Sequence, residues 1–430
     1  MGRKNFSNLD KLKEKAKKLD LDDSLSKFRD KFIIPKDKIY FDGNSLGLLP
    51  KKTIDEVNNV VKNEWGNNLI SSWNNKWIEL PRIISSKIAK IINSKTDEIY
   101  VGSSTSNNLY KLIKSILMSH NGIKSISTDN LNFPSDKYIC EGISNDFNIK
   151  YNLLNYETDL LPDIDLLKRF ILDHKGIIVL SHVSYKSSYK YPMSDISKFC
   201  NKNNIFLIWD LSHSIGAVNI DMDLNYANYA VGCTYKYLNG GPGSPAFIYV
   251  RKSKIKKLKS PIKGWFSHSK PFNFSNKYEE SNSINKFSNG TPHIISLSSL
   301  KTSLDITIDA STKKLHLKST NLFILFNSFY IDNLKDLGFN LLTPINIEER
   351  GSHISISHEE ALRISKCLIS PIKRNKIKII VDYRPKNIIR IALTPLYITF
   401  NDIHLLCKRL IEITTTKEYV NKDSTSFGVT

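Results

Sequence analysis

The chain has 430 residues, of which 40% are hydrophobic and 24% charged, and 62 Lys and Arg against 42 Asp and Glu give it a net charge of +20. This composition excludes a disordered chain, which would lack the apolar side chains for a core, and the length suits two or three domains. The basic side chains are scattered, and the one dense run, residues 251–259, contains no aromatic residue for base stacking. We therefore interpret that run as a solvated helix face and predict no nucleic-acid partner.

The five cysteines are odd in number, and no pair has the Cys-x-x-Cys spacing. We therefore predict neither a disulfide framework nor a metal site, which suits a reducing compartment. The first 20 residues contain no apolar stretch of the kind found in signal peptides, and no window is long enough to span a membrane. These features predict a cytoplasmic protein with no membrane partner.

Residues 8–30 place apolar side chains near helical spacing, which predicts one or two helices on the surface. Residues 98–250 then contain short runs that favour β-strands, and most of the early ones are separated by helix-length segments. The predicted strands are 98–101, 125–128, 151–154, 176–180, 205–209, 229–233 and 246–250. Runs such as Ile-Phe-Leu-Ile are apolar without alternation, as in strands buried on both faces. We predict a mostly parallel sheet between helices.

After about residue 300 the pattern changes to long helical stretches, followed by predicted strands at 354–356, 377–381 and 388–392. This predicts a smaller α+β domain. The predicted organisation is an N-terminal helical segment (1–60) that packs with the small domain, a large domain (61–297), the small C-terminal domain (298–418) and a flexible tail (419–430).

Two of the predicted strands end in residues that can carry chemistry. The strand at 205–209 leads directly into Asp210, with His213 three residues later, and the strand at 229–233 leads into Tyr235, Lys236 and a Gly-rich loop. Each has an ordinary explanation, a helix N-cap for the aspartate and an exposed loop position for the lysine. Together, an acid and a lysine on neighbouring strand ends suit pyridoxal phosphate (PLP), which takes a lysine at its aldehyde and a carboxylate at its pyridine nitrogen.

Residues 101–109 (Val-Gly-Ser-Ser-Thr-Ser-Asn-Asn-Leu) end one strand and begin a helix. Hydroxyl groups and helix N-terminal N–H groups form an anion site, which suits the phosphate of PLP, although ordinary helix capping uses the same residues. Phe133 follows the next strand and either stacks on the pyridine ring or belongs to the core.

Longer strings of the sequence resemble the kynureninase family of PLP enzymes. The most specific are residues 235–243 (Tyr-Lys-Tyr-Leu-Asn-Gly-Gly-Pro-Gly) and 394–397 (Thr-Pro-Leu-Tyr), supported by residues 40–47, 132–138, 209–216 and 350–353. The resemblance extends from about residue 20 to residue 410. It implies fold type I, the α/β aspartate aminotransferase-like fold with a seven-stranded sheet, and a homodimer.

The resemblance also implies roles for individual residues. The implied catalytic residues are Lys236, Tyr235 and Asp210. The implied cofactor-binding residues are Thr105, Ser106, Phe133, Asp136, Ser181, Asp210, His213, Tyr235, Lys236, Trp265 and Thr291, of which Trp265 and Thr291 reach the cofactor of the partner subunit. The implied substrate-binding residues are Arg390, which binds the α-carboxylate, Trp73, which faces the aromatic ring as in bacterial members, Asn44 and Ser45.

The implied reaction is hydrolysis of L-kynurenine, or of its 3-hydroxy form, to anthranilate (or 3-hydroxyanthranilate) and L-alanine. Two alternatives remain open at this point. Asp210 and Lys236 alone would also permit another fold-type-I reaction, such as cysteine desulfuration or transamination. The net charge of +20 is the sole support for a nucleic-acid-binding protein on an old enzyme fold.

Overall fold

The computed structural model describes residues 2–372 and 376–425 of the chain. The α-helices are α1 (Gly2–Leu21), α2 (Lys51–Asn59), α3 (Leu80–Ile91), α4 (Thr105–Ser119), α5 (Pro134–Asp146), α6 (Ile164–Asp173), α7 (Met193–Lys202), α8 (Lys252–Ile255), α9 (Ile294–Ala310), α10 (Thr312–Phe329), α11 (Ala361–Ile369) and α12 (Phe400–Thr415). The strands are β1 (Lys38–Tyr40), β2 (Ile99–Val101), β3 (Ser125–Asp129), β4 (Lys150–Leu154), β5 (Ile177–Ser181), β6 (Phe206–Asp210), β7 (Tyr229–Gly232), β8 (Phe247–Val250), β9 (Asn340–Leu341), β10 (His353–Ser357), β11 (Lys378–Ile380), β12 (Asp382–Arg384) and β13 (Ile388–Ala392).

The central sheet has seven strands in the order β2-β8-β7-β6-β5-β3-β4. Strand β8 runs antiparallel to both of its neighbours, and the other pairings are parallel. The predicted mostly parallel sheet of seven strands is confirmed, and each of its strands overlaps a predicted one. Strands β5 and β7 are buried along their whole length and β6 is buried after its first residue, Phe206, because apolar cores cover both faces of the sheet.

The carboxyl ends of β5, β6 and β7 meet at one edge of this sheet. Ser181, the last residue of β5, is paired with Asp210, the last residue of β6, and Asp210 is paired with Val231 of β7. Ligands of open parallel sheets bind at this edge, so the register brings the predicted site residues to the expected place.

A second, antiparallel sheet has the order β12-β13-β10-β9, and α10, α11 and α12 contribute to the apolar core behind it. Leu9, Leu12 and Ala16 of α1 lie in the same core, and α1 packs along α12. The N-terminal helix is therefore joined to the C-terminal part of the chain. The boundaries at residues 60, 297 and 418 stay predictions.

The basic run at residues 251–259, which the sequence predicts to be a solvated helix face, contains only the single-turn helix α8. Ile255 and Leu258 of this run are buried beneath exposed lysines. The predicted flexible tail, residues 419–430, begins inside the short helix Glu418–Asn421. Asp423 in this tail is ion-paired to Lys366, and residues 426–430 lie outside the described residues.

Within the described residues, no helix is long and apolar enough to cross a membrane.

The packing of α1 yields a prediction about stability. Leu12 is 4% exposed in the core shared with α12, whereas Leu21 at the end of the same helix is 80% exposed. Leu12→Ala leaves a cavity and should lower the free energy of unfolding by about 2–5 kcal/mol. Denaturant titration measures this loss, and Leu21→Ala serves as the matched control. Equal effects of the two substitutions would mean that α1 does not pack as described.

Candidate active site

A cavity of about 650 Å³ opens at the carboxyl edge of the central sheet. Its wall includes the following residues named from the sequence: Ser45, Thr105, Ser106, Phe133, Asp136, Asp210, Tyr235 and Lys236. The structure thus brings most of the predicted cofactor-binding residues to one place. Leu46, Ser103, Ser212 and Cys233 also line this cavity.

Lys236 lies four residues beyond β7 and is only 8% exposed. Its Nζ lies 3.2 Å from Nε2 of His213 and 5.6 Å from the centre of the Phe133 ring. Burial lowers the pKa of Lys236, and the nearby Cys233 and Asp210 only partly oppose this effect. The pKa of His213 is held well below its usual value by burial and by Lys236. Burial thus shifts both the lysine and the histidine towards their neutral forms, which suits nucleophilic and proton-transfer chemistry.

Two buried carboxyl groups lie near this lysine. Asp210 Oδ1 accepts hydrogen bonds from the backbone N–H of Ser212 (2.9 Å) and from its hydroxyl (2.6 Å). Burial, reinforced by the charge of Asp210, raises the pKa of Asp136 well above its usual value. Burial also raises the pKa of Asp210, but its bonds from Ser212 and the charge of Lys236 oppose that rise. The arrangement favours an ionised Asp210 beside a protonated Asp136.

The phosphate end of the predicted site lies at the start of α4. Ser104 caps this helix by accepting the backbone N–H of Asn107 at 3.3 Å. The first-turn N–H groups of a helix have no intrahelical acceptor, so those of Thr105 and Ser106 suit an anion. Ser103 adopts a left-handed backbone (φ 59°), which turns the chain sharply before the helix.

Phe133 is held at the cavity by a buried hydrogen-bond network. Asn132 Oδ1 accepts the Phe133 backbone N–H at 2.8 Å and the Ser181 hydroxyl at 2.5 Å. The edge of Tyr185 packs against the Phe133 ring at 5.1 Å between centroids. Ser181, predicted as a cofactor contact, does not line the cavity itself, and its contact here is with Asn132.

Arg390 of β13 is fully buried and has three kinds of partner. Its Nε and Nη2 bind the carboxylate of Asp382, which faces it across the β12–β13 ladder. Its Nη1 donates to the Tyr185 carbonyl at 2.7 Å, and its Nη2 donates to Ser45 Oγ at 3.3 Å. Because Ser45 is on the cavity wall, the guanidinium lies one side chain away from the cavity.

The polar groups around Ser45 are also buried. The side-chain amide of Asn44 is fully buried, and neither its nitrogen nor its oxygen has a hydrogen-bond partner in the described part of the chain. Burial and the nearby Asp382 raise the pKa of Asp42 to about 7. Unsatisfied buried amides are costly, so Asn44 suits contact with a bound ligand.

The residues predicted to reach the partner's cofactor do not line this cavity in their own chain. Trp265 is 41% exposed and packs among Phe266, Phe272 and Phe274. Thr291 is exposed on a neighbouring cleft of about 1030 Å³. Trp73, predicted to face the substrate ring, stacks on Phe266 at 6.0 Å and also lies outside the cavity wall, so its role stays a prediction.

Sequence reasoning missed four residues that position these groups: Ser212, Asn132, Asp382 and Gly47. Ser212 bonds to Asp210, Asn132 bonds to Phe133, and Asp382 bonds to Arg390, as described above. The Gly47 backbone N–H donates to the Tyr235 carbonyl at 2.8 Å, and a Cβ on Gly47 would lie 2.4 Å from the Lys236 carbonyl oxygen. Asn132 and Gly47 stand inside the strings that carried the resemblance, whereas Asp382 had no local signal.

The chemical groups around this cavity can be compared with the parts of the PLP molecule. Within residues 2–372 and 376–425, Asp136 Oδ2 is buried with no hydrogen-bond partner. A buried lysine amine, a buried carboxyl group, an aromatic face and a helix N-terminus match the aldehyde, the pyridine nitrogen, the ring and the phosphate of PLP. The residues present therefore fit this cofactor.

Comparison with solved structures gives the class of protein that this fold defines. The apo structure of a cysteine desulfurase from Thermococcus onnurineus NA1 matches with a TM-score of 0.76 at 15% identity, covering 91% of this chain and 98% of that one. The cysteine desulfurase CsdA from Escherichia coli matches with a TM-score of 0.74 at 14% identity, covering 91% and 99%. The chain has the α/β fold of type I PLP enzymes.

Sequence comparison gives the family. Residues 315–410 match the model of the kynureninase C-terminal domain. A kynureninase from Pseudomonas fluorescens is 36% identical over 391 residues, which are 90% of this chain and 91% of that protein. A kynureninase from Burkholderia mallei (strain SAVP1) is 34% identical over 414 residues, which are 95% and 97% of the two chains. The chain belongs to the kynureninase family.

The contact of Gly47 with the lysine loop yields a prediction. Gly47→Ala forces a methyl group against the Lys236 carbonyl oxygen and should displace the amine, lowering kcat by about tenfold or more, since small misplacements are costly in catalysis. Gly142→Ala is the matched control, because a Cβ there meets no atom within 4 Å and alanine favours the helix by about 0.5–1 kcal/mol. Unchanged kcat in the Gly47 variant would show that this contact does not position Lys236.

Proposed function

We propose that this protein uses PLP to hydrolyse the Cβ–Cγ bond of L-kynurenine, giving anthranilate and L-alanine, with 3-hydroxykynurenine as a second substrate of the same kind. The hydroxyl of water goes to the acyl carbon, and its proton goes to the β-carbon. The observation that carries the proposal is the buried amine of Lys236 beside Asp210, in a chain that belongs to the kynureninase family over nearly its whole length.

Bound PLP supplies an aldehyde for the lysine and an electron-withdrawing ring that acidifies the substrate's α-carbon. The Lys236 amine is the base that removes the α-proton, since burial lowers its pKa and favours the form that can accept a proton. Asp210, ionised and fixed by Ser212, holds a proton on the pyridine nitrogen. Phe133 supports one face of the ring, and the ring of Tyr235, whose centre lies 5.8 Å from the Lys236 amine, places a second proton-transfer group beside the lysine.

Arg390 binds the α-carboxylate of the substrate. Its guanidinium is oriented by Asp382 and by the Tyr185 carbonyl, which leaves the 3.3 Å bond to Ser45 as its weakest. A carboxylate that replaces Ser45 as an acceptor gains a charge-assisted hydrogen bond. Asn44, beside Ser45, offers a buried amide to the same end of the substrate.

The rival reaction, cysteine desulfuration, needs an accessible nucleophilic thiolate. All five cysteines of this chain are buried and unpaired. Burial raises the pKa of Cys233, the cysteine on the cavity wall, and it raises the pKa of Cys367 to about 11 and that of Cys200 to about 12. Burial therefore disfavours the accessible thiolate that a desulfurase requires. Five unpaired thiols suit a reducing compartment such as the cytoplasm.

The direct test is anthranilate fluorescence over time with purified protein, added PLP and L-kynurenine. We expect a steady rise that disappears when PLP is removed and is absent from Lys236→Ala, which should also lose the visible absorbance of the bound cofactor. Lys256→Ala, which removes an exposed lysine, is the matched control and should match the unsubstituted protein. Normal turnover by Lys236→Ala would refute the assignment of the lysine, and a flat trace from the unsubstituted protein would refute the reaction.

We further propose that the active form is a homodimer in which Trp265 and Thr291 reach the cofactor of the partner subunit. Support comes from the surface that carries them. Trp265, Phe272 and Phe274 expose a contiguous aromatic group, and exposed apolar patches of this kind mark interfaces. The cleft that holds Thr291 also extends to Ser103 of the predicted phosphate loop.

Mixing two inactive variants tests this sharing of sites. Lys236→Ala lacks the base, and Trp265→Ala should bind PLP weakly, so each alone should have little activity. In a mixed dimer, the intact lysine of one chain meets the intact tryptophan of the other, and activity should return on mixing. Sedimentation shows whether dimers have formed. Mixed dimers without restored activity would mean that Trp265 serves its own chain's site or none.

A further inference from the structure

Lys111 lies on α4, two turns after the predicted phosphate-binding residues, and is 1% exposed. Its Nζ donates to Ser103 Oγ at 3.3 Å and to the Phe287 carbonyl at 2.9 Å, and it lies 4.3 Å from the centre of the Tyr100 ring. In the part of the chain that the structure describes, no carboxylate is in contact with this ammonium group.

Lys111 differs in this respect from the other lysines that the described residues bury. Lys286 is ion-paired to Glu280, Lys318 to Asp23, and Lys366 to Asp423. Lys236 is the proposed point of cofactor attachment. Lys111 is therefore the buried lysine whose charge has neither an ionic partner nor an assigned reaction.

An ammonium group that is buried without an anion is costly, so native proteins pair such charges or neutralise them. Burial alone lowers the pKa of Lys111 to about 7. The elements packed around it contribute neutral groups: the Ser103 hydroxyl, the Phe287 carbonyl and the Tyr100 phenol, whose pKa burial raises. Lys286, which precedes Phe287 in the chain, is bound to Glu280 and to the Leu258 carbonyl.

An anion bound in the cavity would give the Lys111 ammonium group the anionic partner that the described part of the chain does not provide. Ser103, which accepts the bond from Lys111, lines the cavity beside Thr105 and Ser106. We propose that Lys111 is the buried counter-charge of the cofactor's phosphate and acts through Ser103, as a positioning residue rather than a catalytic one. This inference rests on the proposed binding of PLP, but not on the identity of the substrate.

The proposal has a consequence for proton binding. With the phosphate absent, Lys111 is partly deprotonated above neutral pH. A bound phosphate anion favours the ammonium form and raises the pKa of Lys111, so binding of PLP takes up a proton above about pH 7. The contribution of Lys111 to the affinity for PLP is therefore complete below about pH 7 and declines as the pH rises above 7.

The test measures affinity without turnover. The full-length protein is stripped of cofactor and titrated at pH 7 with PLP and, separately, with pyridoxal, which has the aldehyde and ring but no phosphate. Lys111→Met should bind PLP about 10- to 100-fold more weakly, the size of one charge-assisted interaction, and should bind pyridoxal normally. Lys318→Met, which removes another buried lysine that does not line the cavity, should leave both affinities unchanged even if it lowers stability.

A loss of affinity shared equally by PLP and pyridoxal would mean that Lys111 is a purely structural residue. Unchanged PLP affinity would refute the proposal outright.

If Lys111→Met does not fold, the unsubstituted protein can still test whether Lys111 pairs with the phosphate. Calorimetry at pH 8 in buffers of different ionisation enthalpy should show more proton uptake with PLP than with pyridoxal, beyond that of the phosphate group itself. Lys111→Arg, which keeps the charge, should retain the preference for PLP. Failure of kynurenine hydrolysis would leave these binding results, and hence this inference, unaffected.

Discussion

The arrangement of the site depends on one constraint, the burial of several ionisable groups at the edge of a parallel sheet. Lys236, Asp210 and Asp136 lie close together with little access to water, so their full charges cannot coexist cheaply. Burial lowers the pKa of Lys236, and burial reinforced by the charge of Asp210 raises that of Asp136. Ser212, with two hydrogen bonds to Asp210, opposes the rise in the pKa of Asp210 and so favours the negative charge there. This single environment therefore favours both a lysine amine and a fixed anion.

A six-residue segment, residues 42–47, connects the parts of the chain that must act together. Just before it, the Phe41 N–H donates to the Ile380 carbonyl of β11, and the Phe41 carbonyl accepts from Ala392 of β13, at 2.8 Å each. At its end, Gly47 bonds to the loop that carries Lys236, and Ser45 between them bonds to Arg390. The proposed base follows the central sheet and the proposed carboxylate-binding arginine lies in the smaller sheet, and this segment links the two. Glycine at position 47 is needed because two backbones meet there.

The sequence predicts those parts of the molecule that depend on local pattern. Uninterrupted apolar runs indicate the strands of the central sheet. Asp210 stands out because it follows such a run directly, and Lys236 because it lies in the loop after the next one. The partners Asp382 and Lys111 could not be predicted in this way. Asp382 meets Arg390 only through the pairing of β12 with β13, and the strand predicted at 377–381 ends before it. Lys111 occupies a helix in a lysine-rich chain, and only the packing of Tyr100 and Phe287 against it shows that it is buried.

The cysteine desulfurases that share this fold at 14–15% identity show that the sheet by itself does not select a reaction. The selection comes from the groups placed around it, and here two of these groups bind anions at opposite ends of the site. At one end, the N-terminus of α4 and Lys111 are proposed to attract the phosphate, and at the other Arg390 is proposed to attract a carboxylate. Burial raises the pKa of the Cys233 thiol on the cavity wall, whereas it lowers the pKa of the Lys236 amine. A ligand that is anionic at one end only would be held, but it would not be aligned with the proposed base. An α-amino acid joined to the cofactor carries both charges, so in the proposed arrangement its α-carbon is brought to the Lys236 amine, whose lowered pKa favours the form that accepts the α-proton.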